Sequence, residues 1–370
     1  MRVLVRNTLG FTLLGAALGL TACSSGGDGG GGFTAPAIPT QPVAITSDNE
    51  GEVAQAAFSG STGGVGLSDI GFLPGSVVGS GTSSDIKLYH TVKKLLDSAL
   101  NKTAQSNDIV SVSGVQFSDS FPCEYWDPDT GQYVESGSES INASIADFNE
   151  ATGEPNSFSV GDYINVTSNN CQDFKGEVKN GSFSMTINSN VNMADMNAEV
   201  FTLDVTQSFN NFRITTTDFL TGVKSTETLH GSIDLNLDAN GGNVDFDMSG
   251  NSLYVVSPSE SVLLTNFSIT ATVNEDVNGM VISVVMDSSF TVASTAIDGQ
   301  IMVVSHFEAS GNGAPTAGYM NITGDNSQLN ITVIDDLTIN VTLIIGGNVQ
   351  AGYPKDVSWS ELGVEVNNAF

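Results

Sequence analysis

The sequence predicts a mainly β protein, a large antiparallel meander with one amphipathic helix packed on it. Three observations predict this class. From about Asp108 almost to the end, apolar and polar residues alternate with a period of two, the spacing of a strand with one buried face. Asn-Gly, Asp-Gly and Gly-Gly pairs separate the alternating runs, and such pairs supply the positive φ that tight hairpin turns need. Ahead of the strands, Ser84 to about Ala104 shows helical periodicity.

The chain opens with Arg2 and Arg6, an apolar stretch from Leu9 to Leu20, and small residues up to Cys23. This is the layout of a secretory leader, and the apolar run is too short to span a bilayer. Residues 1–22 are therefore expected to be a signal peptide. Residues 23–81 are rich in Gly, Ser, Pro and Ala, too poor in large apolar groups to offset their ordering entropy. They predict a tether, flexible over 24–50. Beyond it, Phe58, Leu67, Ile70, Phe72 and Val77 are expected to dock on the domain as irregular segments. A single domain is expected over 82–370.

In the predicted helix, Leu88, Tyr89, Val92, Leu95, Leu96, Ala99 and Leu100 fall on one half of the wheel. Lys87, His90, Lys94, Asp97, Asn101 and Lys102 fall on the other, so the apolar half asks for cover by a sheet. Thr82 and Asp85 have the spacing of a capping box. Lys87, Lys93, Lys94 and Lys102 read as a solvated face.

The strands follow in order. Phe183, Met185 and Ile187 share one face, as do Ile233, Leu235 and Leu237, then Val244, Phe246 and Met248. Asn240-Gly241-Gly242 stands between the last two sets, and Asn180-Gly181, Asn278-Gly279, Asp298-Gly299 and Gly346-Gly347-Asn348 read as turns between other pairs. Leu329, Ile331 and Val333, then Leu337, Ile339 and Val341, continue the pattern. About 14–18 strands are expected, too many for a flat open sheet. A curved half-barrel, a barrel and a two-layer sandwich all satisfy the pattern.

The chain carries 11 Lys and Arg against 41 Asp and Glu, a net charge of −30. Loss of the leader removes two of the basic residues and brings the net charge to about −32. So large a negative charge speaks against nucleic acid and against anionic lipid as partners. With Cys23 set aside, Cys123 and Cys171 remain. One intramolecular disulfide is expected in an oxidising compartment; two free thiols or an intermolecular link are the alternatives.

Leu20-Thr21-Ala22-Cys23 resembles the lipobox of bacterial lipoproteins. The resemblance implies a diacylated thiol on Cys23, removal of the preceding peptide and acylation of the new amino terminus. Two or three acyl chains hold a protein stably at a membrane where one does not. Ser24, at the position where aspartate signals inner-membrane retention in enteric bacteria, implies transfer to the outer membrane. Ser136-Gly137-Ser138, Gly161-Asp162, Asn170-Cys171 and Asn180-Gly181-Ser182 resemble a module of uncharacterised proteobacterial secreted proteins and lipoproteins. "APTAGYMNITGDNSQLNITVIDDLTINVTL" followed by "VSWSEL" is similar to the closing segment of the same proteins. The resemblance implies a β-rich extracytoplasmic lipoprotein and brings no activity with it. The loop Gly346–Asp356 departs from that pattern, because it lacks the acidic spacing of a calcium loop.

Candidate chemistry is thin. His90, His230 and His306 are far apart in sequence and none belongs to a metal-spaced pair. His230 and His306 read as ordinary strand residues. Asp127 and Asp129 form the best acidic cluster, but an EF-type calcium loop needs a further acid at fixed spacing. They read as a turn between the strand through Tyr125-Trp126 and the one at Tyr133. The sequence therefore predicts no enzyme, no cofactor and no metal. It predicts a lipoprotein on the outer membrane, bound through Cys23, with a structural or interaction role. Two alternatives stand beside it. One is a carrier of an apolar or lipid ligand between sheet and helix. The other is an integral outer-membrane barrel, since Leu362, Val364, Val366 and Phe370 are similar to a barrel's last strand.

Overall fold

The computed structural model describes residues 33–61 and 115–366, apart from connecting stretches at 128, 150–153, 175–176, 193, 196–199, 218–220, 242, 259, 276–280, 311–313 and 365. The expected leader, Cys23 and the predicted helix over 84–104 lie outside these residues.

One α-helix, α1 (Glu50–Ser61), precedes the strands among the described residues. The first strands are β1 (Val115–Asp127), β2 (Gln132–Ile145), β3 (Asp147–Asn149), β4 (Glu154–Phe158), β5 (Tyr163–Phe174) and β6 (Glu177–Ile187). Next come β7 (Val191–Asn192), β8 (Val200–Thr217), β9 (Lys224–Asn240), β10 (Asn243–Val256), β11 (Ser261–Glu275) and β12 (Val281–Ser294). The chain closes with β13 (Gly299–Ser310), β14 (Pro315–Gly324), β15 (Ser327–Val333), β16 (Thr338–Ile345), β17 (Asn348–Val349) and β18 (Lys355–Ser358).

Fifteen of these strands form one antiparallel sheet in the order β1-β2-β5-β6-β8 through β17, with β18 also on β16. β3, β4 and β7 make a small second sheet. The large sheet is mainly a meander of sequence neighbours, as predicted, and it is open. The barrel expectation is thereby corrected: among the described residues no strand is bonded along the outer edge of β1 at one end, and β17 and β18 end the other. Period-two alternation leads to an antiparallel sheet whether or not it closes, so the pattern alone could not tell the two apart.

One face is apolar and buried. Ile141, Ile164, Met185, Val205, Ile233, Met248, Ile269, Met286, Val303, Ile322, Ile331 and Val341 form a single hydrophobic cluster running across the sheet. The opposite face carries Thr, Asn, Ser and Asp, with exchanges such as Thr206 Oγ1 to Asp234 at 2.6 Å and Thr272 Oγ1 to Asp245 at 2.6 Å. These cross-strand pairs add a few tenths of a kcal/mol each, up to about 1.

The long strands do not keep one phase of alternation. In β8 the buried positions run Val205, Gln207, Phe209, then Phe212. In β10 they run Phe246, Met248, then Leu253 and Val255; in β11, Val262 and Leu264, then Phe267, Ile269 and Ala271. The phase slips at register shifts where one strand holds an extra residue. Such a bulge bends the strand and returns the apolar side chains to the same interior.

The slips lie side by side. Left-handed residues mark Gly137 in β2, Asn170 in β5, Gly181 in β6, Asn211 in β8, Gly231 in β9 and Asn266 in β11. Between the last two, β10 shifts register against β9 from Ser249 to Leu253. Together they form a crease across seven adjacent strands. Asn180-Gly181 is part of it and sits inside β6, paired to both β5 and β8. Its reading as a hairpin turn is corrected here: Asn-Gly supplies positive φ to a bulge as readily as to a turn. Asn240-Gly241, Asp298-Gly299 and Gly346-Gly347 do join successive strands as expected. Asn278-Gly279 lies outside the described residues.

The disulfide sits at one end of the crease. Cys123 in β1 and Cys171 in β5 are bonded, with Cα atoms 5.3 Å apart, although β2 lies between their strands. In a flat sheet, strands two apart are separated by about 9.5 Å. The sheet folds sharply here, and a side chain on Gly137 would lie 2.0 Å from the carbonyl oxygen of Asn170.

The tether expectation is also corrected for its second half. Val43 N–H donates to Gln300 O at 3.0 Å, Asp325 N–H to Val43 O at 2.7 Å, and Ile45 N–H to Ser327 Oγ at 2.8 Å. Ile45 is fully buried. Phe58 does dock on the domain, within a helix and not as an irregular segment. These residues are too few to make a core of their own, yet enough to complete one that the sheet supplies. Leu337, expected on a buried face, is exposed in the turn before β16, where Asp335 accepts the Leu337 and Thr338 N–H groups at 3.0 and 2.7 Å.

Two outcomes follow for stability. Gly181→Ala puts a Cβ 2.1 Å from Asn211 O at φ +96° and is expected to cost about 1–3 kcal/mol or more. Gly131→Ala, at φ +65° with nothing within 4 Å, is expected to cost only about 1–2 kcal/mol; urea denaturation of both variants checks the order. Paired Cys123→Ser and Cys171→Ser replacement, closing no loop, is expected to cost roughly 3–4 kcal/mol against the oxidised protein in the same assay.

Candidate functional site

Two places gather polar and aromatic side chains: the seat of α1 on the sheet, and the outward face of the strands that carry the two described histidines.

Helix α1 begins after Asn49, whose carbonyl accepts the Val53 N–H at 3.0 Å. Glu50 and Glu52 in the first turn suit the positive end of the helix dipole. The helix lies against β12, β13 and β14. Small residues let it approach closely: a Cβ on Gly60 would fall 2.5 Å from the Phe290 ring. Phe58 inserts between Phe307 and Trp359, with ring centroids 5.6 and 5.2 Å away. All three rings are at most 2% exposed, so the space they share beneath α1 is filled by protein.

Both helix ends are tied to the sheet. At the start, the nearly buried Glu50 carboxylate accepts from Tyr353 Oη and, at 2.6 Å, from Lys355 Nζ. The hydrogen bond to Glu50 raises the Lys355 pKa above its ordinary value, and burial raises that of Tyr353. At the end, Ser61 Oγ donates to Ala57 O at 2.9 Å and accepts from Ser305 Oγ at 3.0 Å. Ser305 Oγ is in turn 2.6 Å from Ser288 Oγ. These contacts satisfy buried polar groups and set the helix's position; among the described residues the serines bond to one another and to the Ala57 carbonyl, with no histidine or carboxylate in the chain of hydrogen bonds.

The sequence-predicted residues divide as follows. Cys23 and His90 lie outside the described residues. Cys123 and Cys171 come together as the disulfide. Asp127 and Asp129 close the β1–β2 turn, where Asp127 accepts from Asp129 N at 3.2 Å and from Thr130 Oγ1 at 3.0 Å, and Gly131 N–H donates to Asp127 O at 2.8 Å. Among the described residues, no group of three or more His, Cys, Asp and Glu side chains is placed to hold a metal ion. Gly161-Asp162 forms a backbone cap: the buried Asp162 carboxylate accepts the Ala146 and Ser159 N–H groups at 2.9 and 2.8 Å.

His230 and His306 both occupy strand interiors. Phe33 stacks on the His230 ring at 4.1 Å with Tyr254 alongside, and His230 Nδ1 accepts the Asn211 N–H at 3.3 Å. Burial lowers the His230 pKa. His306 lies on the wet face between two carboxylates, Asp287 at 2.8 Å and Glu308 at 3.4 Å. The hydrogen bond to Asp287 is the largest of the effects that raise its pKa.

Sequence reasoning missed the seat of α1 and the setting of His306. The helix sequence EGEVAQAAFSGS carries too few large apolar residues to show an amphipathic signal. The Asp287–His306 pairing is cross-strand and is visible only once the register is known.

Comparison with protein-family models, with curated proteins and with solved structures gives no match for this chain. No helix among the described residues is long and apolar enough to cross a membrane.

The two histidines are expected to act on stability in opposite directions. His306, with a raised folded-state pKa, contributes stability that is complete below about pH 6.5 and lost as pH rises through the raised value. His230, with a lowered one, contributes stability that is complete above about pH 6.5 and lost as pH falls towards the lowered value. NMR titration of the ring protons, assigned with His230→Gln and His306→Gln, is expected to place the His306 midpoint above that of His230.

Proposed function

We propose that the protein is an extracytoplasmic lipoprotein, held at the outer membrane by acyl chains on Cys23, with a non-enzymatic structural or interaction role. The observation that carries the role is the filled seat of α1: Phe58, Phe307, Trp359 and Met320 occupy the space between helix and sheet at 0–2% exposure. The grouped ionisable side chains described above are engaged as caps, clamps and surface pairs. The address rests on the Leu20–Cys23 pattern, and the Cys123–Cys171 disulfide supports it, because structural disulfides persist outside the reducing cytoplasm.

One observation favours the carrier reading instead. Gln207 points to the apolar face of β8 at 2% exposure, and its Oε1 has no hydrogen-bond partner among the described residues. A buried unsatisfied oxygen needs an explanation, and an amphiphile with a donor head group would satisfy it.

Labelled palmitate fed to the native host is expected to appear on the wild-type chain and not on Cys23→Ser, which keeps its leader. Unlabelled wild-type protein would overturn the lipoprotein reading. Native mass spectrometry of the purified chain separates the two roles. A mass equal to protein plus its own acyl chains fits the interaction role, and an additional lipid lost in Gln207→Leu fits the carrier.

A further inference from the structure

We propose that the tip of the β1–β2 hairpin is a docking surface for Lys or Arg side chains of a protein partner. β2 pairs with β5 only over Ser138–Ser144. Beyond that register, Glu124–Asp127 and Gln132–Glu135 pair with each other, and no third strand among the described residues joins them. An isolated two-stranded hairpin is marginally stable in water. Here the Cys123–Cys171 bond fixes its base and the Asp127 turn closes its end.

The outward face of this finger carries two cross-strand pairs in succession. Trp126 lies opposite Tyr133, and Glu124 lies opposite Glu135. The rings meet edge to face at 5.3 Å, yet Trp126 is 52% exposed and Tyr133 70%. Both glutamates are exposed. Neither carboxylate has a cationic partner among the described residues. Like charges directly opposite one another on a sheet are destabilising, so the finger holds an uncompensated repulsion beside an exposed aromatic pair.

A cation relieves the first and uses the second. The stem of a Lys or Arg side chain lies along an aromatic surface while its charged head seeks carboxylates, and the ring faces attract the cation as well. The net charge of −30 draws a basic partner and repels anionic lipid. A neutral sugar would stack on the rings but would leave the glutamate repulsion unchanged.

The test uses the full chain in nonionic detergent with a fluorescent oligolysine peptide at near-physiological salt. Its controls are the same peptide acetylated on every lysine and a soluble neutral glucan. Trp126→Ala leaves the charge unaltered and is expected to weaken oligolysine binding roughly fivefold; Tyr133→Ala is expected to act in the same direction. The pair Glu124→Gln and Glu135→Gln is expected to weaken binding and to raise the thermal unfolding temperature. Unchanged binding by Trp126→Ala would show that general acidity alone attracts the peptide, and would overturn the proposal. Equal binding of the acetylated peptide or the glucan, or a lowered unfolding temperature in the glutamine pair, would overturn it too. Near-UV circular dichroism of the disulfide-bonded variants confirms that each is folded.

Discussion

A strand of 18 residues such as β8 reaches far past the width of one hydrophobic core. Fifteen strands side by side, several nearly that long, cannot bury a face if they stay flat. Backbone hydrogen bonding holds the strands in register, while burial demands that they bend. The crease reconciles the two. From β2 across to β11 in the large sheet the ladder gives up local pairing at one place in each strand, and in all of them but β10 a Gly or Asn takes the left-handed conformation there. Apolar side chains then point to the same interior on both sides of the line. The disulfide and the phase slips in β8, β10 and β11 all belong to that one bend.

The open edges raise the question of what limits further pairing. Among the described residues β1 is an edge strand, and it carries Pro122 within its length, which withholds one backbone donor. Glu124 and Asp127 add negative charge along the same strand. Proline and charge are common means of discouraging edge-to-edge association. At the other end, the last strands are short: β17 has two residues and β18 four.

Much of the sheet was legible in the sequence because period-two alternation has a single physical source. Ile233, Leu235, Phe246 and Met248 fell on the buried face as read, and Asn240-Gly241 made the turn between them. The crease was legible too, in principle. The interval from Phe209 to Phe212 breaks the period, and a break without a turn is a bulge. Asn180-Gly181 misled because both structures use the same backbone geometry; only the pairing of β6 with β5 and β8 on both sides of it tells them apart. The helix α1 left little trace. It is held by closeness, through Gly60 and alanines, and by polar ties at its two ends, so a reading based on hydrophobic periodicity passes over it. Leu337 failed for the opposite reason: its spacing fits the strand, but Asp335 captures the backbone before the strand begins.

The contacts that seat the N-terminal segment are almost all with the far end of the chain. Ile45 bonds Ser327, Glu50 bonds Tyr353 and Lys355, and Phe58 packs on Trp359. A ribosome makes this segment first and its docking surface last. Helix α1 must therefore wait, unhoused, through the synthesis of nearly three hundred residues. The strands in between can zip to their neighbours as they appear, but the last turn of the lock is made only when the carboxyl end arrives. A chain truncated before Tyr353 lacks the residues that receive its own beginning.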